Sequence, residues 1–359
     1  MPFDLPSIDS ASPEPLIPDK TAARIAAGPG FWTGWLSELS REGLLGALLA
    51  EDVIARALRE APGRHRYDSA LDAKMTLVCV LAACLFPEEG CDQVLARAFG
   101  LPGLRFRPGG VPSGSALSQA RERLGELALR RAFELDAERG DAGLGLSALW
   151  KGPEVTALDG TTMELHRNDA LACEFGSSSE AGRPLLRVVA HVRAASRRWI
   201  GAGIGSYHDG ENDLADELIG SFRPGMLNLA DRGFFSMDRF CGFSGTGADL
   251  AWRAKDSAKS IPARTIEVLP DGSELVVLRE SDGMPARRRR ESRNHAAPRL
   301  PDTIARLVTF LVMTETRSGK RKASRIRVLT TLLDHEEHPA PDIASLYAED
   351  GKSKSRSCT

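Results

Sequence analysis

The chain has 359 residues, of which 42% are hydrophobic and 27% charged, and its formal net charge is −2 at pH 7. These values are typical of a globular protein with two or three domains. They exclude a membrane-spanning protein, because the longest apolar stretch, Met75 to Phe86, is too short to cross a bilayer. The start lacks the pattern of an export signal, and the six cysteines show no CxxC spacing. We therefore expect a cytoplasmic protein with reduced thiols rather than disulfides or zinc.

The N-terminal third of the chain has a helical pattern. Residues 1–22 are rich in Pro, Ser and Asp and are predicted to form a disordered lead-in. Apolar residues then recur at intervals of three to four between Trp35 and Leu49, and Met75 to Phe86 is expected to be a core helix. The pattern predicts an all-helical N-terminal domain over residues 23–140.

The last predicted helix of this domain runs from Ala116 to Arg131, with Ser115 as its N-cap. Its polar side chains suit contact with DNA bases or phosphates, and they include Gln119, Arg121, Arg123, Arg130 and Arg131. An ordinary surface helix would have the same composition. Both interpretations stay open at this point.

Strand patterns begin after a change of composition between Gly140 and Gly152. The predicted order is three strands, a helix, a fourth strand and a helix, followed by more strands. The strands are Val155–Leu158, Leu185–Ala194, Trp199–Ser206 and Met226–Ala230, and the helices are Asn212–Ile219 and Phe235–Phe243. This order predicts an α/β domain over residues 153–359 with a ribonuclease-H-like mixed sheet, in which the first and fourth strands are neighbours.

Two of these strands end on an aspartate. Asp159 follows Val155–Leu158 and precedes Gly160, and Asp231 follows Met226–Ala230. Because ligands gather at the carboxyl edge of such sheets, the two carboxylates are candidates to bind a divalent metal for phosphodiester chemistry. Each aspartate taken alone is equally typical of a turn before glycine.

A basic segment follows the second aspartate. From Arg253 to Arg327 there are 18 Lys and Arg against 9 Asp and Glu. Hairpin signals around Pro270-Asp271-Gly272-Ser273 predict a β-rich insertion at about 256–326. The segment favours an anionic partner such as a phosphate backbone. Its run of four arginines, Arg287, Arg288, Arg289 and Arg290, fits DNA contact or a solvated loop.

Three further positions allow a chemical and a structural interpretation. His208 and Glu211 suggest a metal or acid–base site, but a turn followed by a helix start explains them better. Arg232, beside Asp231, fits contact with phosphate or a structural role. Trp252 is expected in the core, with base stacking as the alternative.

These motifs together resemble the DDE transposases of the insertion-sequence-four type. The helical part around Ser113 to Arg123 is similar to the N-terminal domain of that family. Leu158-Asp159-Gly160-Thr161 and the segment from Leu229 to Ser236 look like its first and second catalytic blocks, and Leu346-Tyr347-Ala348-Glu349 looks like the start of its third. The β-rich insertion is also a feature of the family.

The resemblance implies a function and a set of partners. It implies that Asp159 and Asp231 bind Mg²⁺ or Mn²⁺, and that the protein cuts and rejoins DNA. The expected DNA-binding residues are Gln119, Arg121, Arg123, Arg232, Arg287, Arg288, Arg289 and Arg290. The expected partners are the element's terminal inverted repeats, target DNA and a second copy of the chain on DNA, with no membrane and with a nucleoid-associated location.

The third block departs from the family pattern. Arginine and glutamate are expected at positions 350 and 354, where this chain has Asp350 and Lys354. The tail from about 350 lacks apolar periodicity and resembles out-of-frame translation, so the last helix is expected to be missing. Glu349 is a weak substitute for the third carboxylate. We expect a defective transposase, and the alternatives are a DNA-binding remnant or inhibitor and an unrelated metal-dependent nuclease or phosphatase.

Overall fold

A computed structural model describes residues 51–61, 71–85, 89–99, 112–139, 149–179, 182–254, 261, 263–279, 300–315 and 321–354. The chain divides into two compact units, Met1–Leu146 and Ser147–Thr359. The predicted lead-in over residues 1–22 and the arginines at 287–290 lie outside the described ranges. Within those ranges, no helix combines the length and the apolar content that crossing a membrane requires.

The described residues of the first unit form helices that share one apolar core. The helices are α1 (Glu51–Glu60), α2 (Ala73–Leu85), α3 (Cys91–Phe99), α4 (Gly114–Leu124) and α5 (Glu126–Arg139). Helix α1 packs against α5, and α2 packs against α4. Helix α2 is apolar all round and contributes Leu77, Cys79 and Ala82 to the core. The expectation of a core helix from Met75 onward is therefore confirmed.

The predicted single helix Ala116–Arg131 is wrong in its bounds. Helix α4 begins after Ser113, whose hydroxyl accepts a hydrogen bond from the Ala116 amide at 3.4 Å, so Ser113 and not Ser115 is the N-cap. Gly125 then has φ of +70°, a conformation that favours glycine, and ends the helix. Arg130 and Arg131 consequently lie on α5. Arg131 pairs with Glu60 of α1 at 2.5 Å, which gives it a structural role in the first unit.

The second unit is built on one mixed sheet in the order β3-β2-β1-β4-β5-β9-β8-β7-β6. Strand β4 pairs in parallel with β1 and β5, and the other pairs are antiparallel. The strands are β1 (Glu154–Glu164), β2 (Leu185–Arg193), β3 (Trp199–Ser206), β4 (Met226–Ala230), β5 (Asp249–Arg253), β6 (Ala263–Val268), β7 (Glu274–Leu278), β8 (Thr303–Glu315) and β9 (Arg321–Thr330). The predicted pairing of the first and fourth strands is confirmed.

Helices pack on both faces of this sheet. They are α6 (Asp169–Phe175), α7 (Glu211–Asp216), which continues as a 3₁₀ turn (Glu217–Ser221), α8 (Met237–Ser244) and α9 (Ala340–Lys354). Residues of α7 and α8 share a core with Leu158 and Leu250, whereas Ile343 of α9 shares a core with Ala157 and Leu229. Because side chains alternate along a strand, these two cores lie on opposite faces of the sheet. We call the second of them the α9 face.

The predicted β-rich insertion is part of the same sheet. Strand β9 pairs with β5, and β8, β7 and β6 extend the sheet outward from β9. The predicted hairpin is present as β6 and β7, joined by a turn in which Gly272 has φ of +81°. The inner faces of β7 and β8 contribute Val276, Leu278 and Ala305 to the core shared with α8. The insertion is therefore continuous with the core sheet.

The prediction that helical structure ends at about residue 350 is wrong in its bounds. Helix α9 runs from Ala340 to Lys354, five residues beyond Glu349. Ile343 is fully buried, and Leu346 and Tyr347 pack against the same core. The sequence Asp350–Lys354 has no apolar period of its own, but it continues a helix whose first two turns are fixed by packing. The first two turns of α9 therefore pack on the α9 face, and the side chains after Tyr347 lie outside the described part of the structure.

The five described cysteines, at positions 79, 84, 91, 173 and 241, are free. Burial raises the pKa of the Cys79 thiol to about 12, so this thiol is neutral and unreactive in the core of the first unit.

Candidate functional site

The two predicted aspartates lie at one edge of the sheet. The last residue pair of the parallel β1–β4 ladder is Leu158 with Ala230, and Asp159 and Asp231 directly follow these two residues. The carboxyl ends of parallel strands meet at the same edge of a sheet. The two motifs, each an apolar strand followed by an aspartate, therefore come together there. One detail of the prediction is wrong: β1 does not stop at Asp159 but continues to Glu164, paired only with β2.

Both aspartates are on the α9 face. Asp159 has the same parity in β1 as Val155 and Ala157, which belong to the core that α9 covers. Asp231 Oδ1 lies 3.7 Å from Nη1 of Arg253, and Arg253 has the same parity in β5 as Ala251 of that core. The two carboxylates therefore point to the side of the sheet where the last helix runs.

The carboxylates are exposed and are oriented by local backbone groups. The Gly160 amide donates to Asp159 Oδ1 at 3.1 Å, and the Arg232 amide donates to Asp231 Oδ1 at 2.8 Å. The Asp231 side chain is 53% exposed and that of Arg253 is 26% exposed. Arg253 was missed by the sequence reasoning because nothing in its local pattern marks it as a neighbour of Asp231. It brings a positive charge to the edge at which an anionic ligand or a metal would bind.

Tyr347 joins the last helix to the same edge. Its hydroxyl lies 2.9 Å from the carbonyl oxygen of Ala230 and 2.5 Å from that of Ala251, so its single proton is shared between them. Ala230 is the residue before Asp231. The start of the third motif is thus fixed beside the second aspartate. Glu349, Asp350 and Lys354 follow on α9, and their side chains are outside the described part of the structure.

Glu211 is on the opposite face of the sheet. Its carboxylate fills the space in front of Gly160, where an added Cβ would lie 1.6 Å from Oε1. Gly160 has the parity of Leu158, so this contact is on the side of α7 and α8. Glu211 begins α7 in the first turn, where a negative charge is favoured. The structural interpretation of the segment His208–Glu211 is confirmed.

Among the described residues, no group of three or more His, Cys, Asp and Glu is arranged to hold a metal ion. Asp159 and Asp231 supply hard oxygen ligands of the kind that Mg²⁺ prefers, and they fit as two members of such a site. A third ligand is not found in the described ranges. The chemistry of the donor set therefore fits the expected metal, while the number of donors falls short.

Trp252 is a core residue. Its side chain is fully buried, and its indole N–H donates to Asn228 Oδ1 at 3.0 Å. The Asn228 amide in turn donates to Thr156 Oγ1 at 3.1 Å. The ring packs on Phe240 and Phe243. Its burial excludes the alternative of base stacking.

The predicted DNA-binding residues of helix α4 do not share one face of that helix. Gln119 and Arg123 are four residues apart on α4 and are neighbours, whereas Arg121 lies two residues from each and points away from them. Gln119 and Arg121 are exposed, and Arg123 is half-buried. Arg232 is exposed in the turn after Asp231. Arg287, Arg288, Arg289 and Arg290 lie outside the described residues.

The comparisons with known proteins agree with the motifs. Residues 40–134 match the family described as insertion element 4 transposase, N-terminal. The chain is 29% identical over 316 residues to transposase InsG for insertion sequence element IS4 of Escherichia coli (strain K12), a match that covers 85% of this chain and 65% of InsG. It is also 25% identical over 159 residues to InsZ of the same strain, which bears the name of a transposase, covering 43% of this chain and 53% of InsZ.

Among solved structures, a cryo-EM structure of the piggyBac transposase synaptic complex with hairpin DNA matches 80% of this chain and 58% of that chain, with 10% identity and a TM-score of 0.32. No argument rests on a likeness this distant. The chain spans about two-thirds of the length of InsG and about half that of InsZ. The chain is thus similar to the IS4-type transposases, over its helical segment by the family match and over 85% of its length by the match to InsG, as the motifs predicted.

Proposed function

We propose that this chain is a transposase-type protein with a ribonuclease-H-like core, in which Asp159 and Asp231 are two members of a three-carboxylate site. One observation supports the proposal above all: the two aspartates follow the paired residues Leu158 and Ala230 of adjacent parallel strands and share the face of the last helix. Neighbouring carboxylates at a sheet edge are the arrangement that divalent metal needs for phosphodiester transfer.

The metal would be Mg²⁺ or Mn²⁺, held by Asp159 and Asp231. When bound, such ions activate a water or a 3′-hydroxyl and stabilise the leaving oxygen of an in-line displacement. The residues of the chain prepare the site: the Gly160 and Arg232 amides fix the orientation of the two carboxylates, at 3.1 Å and 2.8 Å. Arg253, whose Nη1 lies 3.7 Å from Asp231 Oδ1, would compete with a cation for this carboxylate.

The DNA partners are proposed from the resemblance and from the charge of the chain. Residues 23–140 would recognise the terminal inverted repeats, with Gln119, Arg121 and Arg123 as contacts, and residues 153–359 would act on the strands. Arg232 and the run Arg287–Arg290 would contact phosphates. Such contacts make binding steeply salt-dependent, because each neutralised phosphate releases counterions. A second copy of the chain on the DNA is part of the proposal.

This copy is proposed to be catalytically defective. Position 350 has aspartate and position 354 has lysine, where the family pattern has arginine and glutamate. Both positions lie on helix α9, after Tyr347, whose hydroxyl binds the carbonyl oxygen of Ala230. The chain therefore lacks the third carboxylate of the family pattern and has the opposite charge at both positions.

The second candidate function is a DNA-binding remnant or trans-acting inhibitor. It is favoured by the family match over residues 40–134 together with the altered residues at 350 and 354. Such a protein would bind terminal repeats and not cleave them. An unrelated nuclease or phosphatase would hydrolyse DNA that lacks any terminal repeat.

The test is a strand-transfer assay with Mg²⁺ on DNA that ends in the element's terminal repeats. We expect the chain as written to bind this DNA with negligible strand transfer. Transfer should be recovered by D350R, G351W and K354E combined with an amphipathic extension of the last helix. Adding D159A or D231A to the recovered chain should abolish transfer and leave DNA binding intact. Robust transfer by the unaltered chain would contradict the assigned third position.

A further inference from the structure

A buried arginine connects the β-rich insertion to the start of the last helix. Arg306 in β8 is fully buried, and its guanidinium makes hydrogen bonds on all three nitrogens. Nε donates to Ser273 Oγ at 2.8 Å, Nη2 donates to Asp271 Oδ2 at 2.5 Å, and Nη1 donates to the His338 carbonyl at 2.6 Å. Nη1 also lies 3.4 Å and 3.3 Å from the carbonyl oxygens of Leu332 and Asp334. The arginine thus holds the β6–β7 turn and the loop before α9 together.

The same aspartate caps the last helix. Asp271 Oδ2 accepts a hydrogen bond from the Ala340 amide at 2.9 Å. Ala340 is the first residue of α9, Pro341 has no amide hydrogen, and the Asp342 amide already donates to the Pro339 carbonyl at 3.0 Å. Ala340 is therefore the amide that needs an acceptor from outside the helix, and Pro339 has no side-chain oxygen to provide one. A carboxylate at this end also matches the positive end of the helix dipole.

The helix then reaches the sheet edge two turns later. Seven residues separate Ala340 from Tyr347, whose hydroxyl binds the carbonyl oxygens of Ala230 and Ala251. Ile343 between them is fully buried against the sheet. The helix is therefore fixed at two points, by Asp271 at its start and by Tyr347 beside Asp231.

We propose that Asp271, held by Arg306, is a positioning residue for the last helix, so that the β-rich insertion sets where the third motif meets Asp159 and Asp231. The inference rests on the proposed function, because that function makes the edge with Asp159 and Asp231 a catalytic site. The coupling between the β6–β7 turn and Tyr347 can be measured by folding and hydrogen exchange, without any catalytic activity. Replacing a buried ion pair by a hydrophobic pair is often neutral for stability, so the role that we infer for Asp271 and Arg306 is to specify one arrangement of the elements that they join.

The inference is tested by a double-mutant cycle on the full chain. Y347F removes the hydroxyl that reaches β4 and β5, and D271N keeps the shape of the side chain but lacks the second acceptor oxygen. We expect Y347F alone to reduce the folding equilibrium constant of the second unit about fivefold or more. In the D271N background its effect should fall below about twofold, because the helix is no longer held in register.

The matched control is D302N. Asp302 forms an exposed ion pair with Arg279 on the same insertion, with Nη2 at 2.6 Å. Y347F should have its full effect in the D302N background. If D271N prevents folding, S273A replaces it, because Ser273 Oγ contacts both Arg306 and Asp271.

Hydrogen exchange distinguishes a local loosening of helix α9 from a general loss of stability in the insertion. D271N should speed exchange of the α9 amides around Tyr347 more than that of β7 and β8, and D302N should leave both unchanged. The inference is overturned if Y347F has the same fold-effect with and without Asp271, or if exchange rises in β7 and β8 while α9 stays protected. Neither readout depends on strand transfer, so failure of the proposed function would be seen separately.

Discussion

Gly203→Ala adds a single methyl group, and the structure predicts that it destabilises the second unit. Gly203 lies in β3, the strand on which α7 packs. Gly201 and Gly205 lie two residues before and after it, on the same face of the strand. A Cβ added at Gly203 would lie 2.4 Å from the carbonyl oxygen of Leu214 and 3.1 Å from its carbonyl carbon. These are backbone atoms of α7, so they cannot rotate out of the way. Helix α7 or strand β3 must therefore shift to relieve the overlap.

The expected cost follows from that overlap. A normal carbon–oxygen contact needs a separation of about 3.2 Å, so α7 or β3 has to shift by about 0.8 Å. Overpacking of this kind costs about 1–3 kcal/mol, and replacing glycine with alanine in a strand returns about 0.5–1 kcal/mol. We expect a net loss of about 1–2 kcal/mol in the free energy of unfolding.

Gly160→Ala is the matched control in the neighbouring sheet region. Its Cβ would overlap with Glu211 Oε1 more severely, at 1.6 Å, but that atom ends a flexible, exposed side chain. The carboxylate can swing away, so the change should stay within about 0.5 kcal/mol. Urea unfolding followed by tryptophan fluorescence measures both variants. A Gly203→Ala protein as stable as the parent, or a Gly160→Ala protein less stable than Gly203→Ala, would refute the packing of α7 on β3.

Two further predictions concern buried polar groups in the second unit. Burial, with a smaller contribution from the charge of Arg193, lowers the pKa of His191 from 6.5 to about 3. The unfolded chain therefore binds a proton more readily between these values, so the free energy of unfolding should fall by up to about 1.4 kcal/mol per pH unit below pH 6.5. Asn228→Ala should cost about 2–3 kcal/mol, because it leaves the Trp252 indole N–H and the Thr156 hydroxyl without their buried partner.

Each of these predictions has a control. His191→Gln should remove the pH dependence between pH 4.5 and 6.5, and an unchanged slope would mean that another group titrates there. For Asn228, the double variant with Trp252→Phe should be less harmful than the sum of the two single changes, because the unpaired donor is removed. Additive losses would contradict the hydrogen bond between them.

The central pairing could be predicted from the sequence because its signal is local. Val155–Leu158 and Met226–Ala230 are apolar on both faces, as buried parallel strands are, and each ends on an aspartate. The extension of β1 to Glu164 could not be predicted in the same way. Residues 160–164 have one large apolar side chain, that of Met163, and pair only with β2, so they lack the apolar run that marks a central strand.

The last helix and its cap depend on contacts between residues that are distant in sequence. Asp271 reads as a turn residue before Gly272, and nothing near it shows that its carboxylate binds an amide 69 residues later. Arg306 lies in a basic segment that suggests a solvated or DNA-binding surface, yet its side chain is fully buried. The tail Asp350–Lys354 looks non-helical by itself because tertiary packing, not local propensity, starts the helix that it continues.

The central claim is that Asp159 and Asp231 form a carboxylate pair that binds a divalent ion at one sheet edge. The most direct measurement is a titration of the chain as written with Mn²⁺, followed by electron paramagnetic resonance, with D159N, D231N and the control D169N. We expect weak Mn²⁺ binding by the parent and by D169N, and an affinity reduced about tenfold or more in D159N and in D231N. Equal Mn²⁺ affinity in the parent and in both site variants would contradict it.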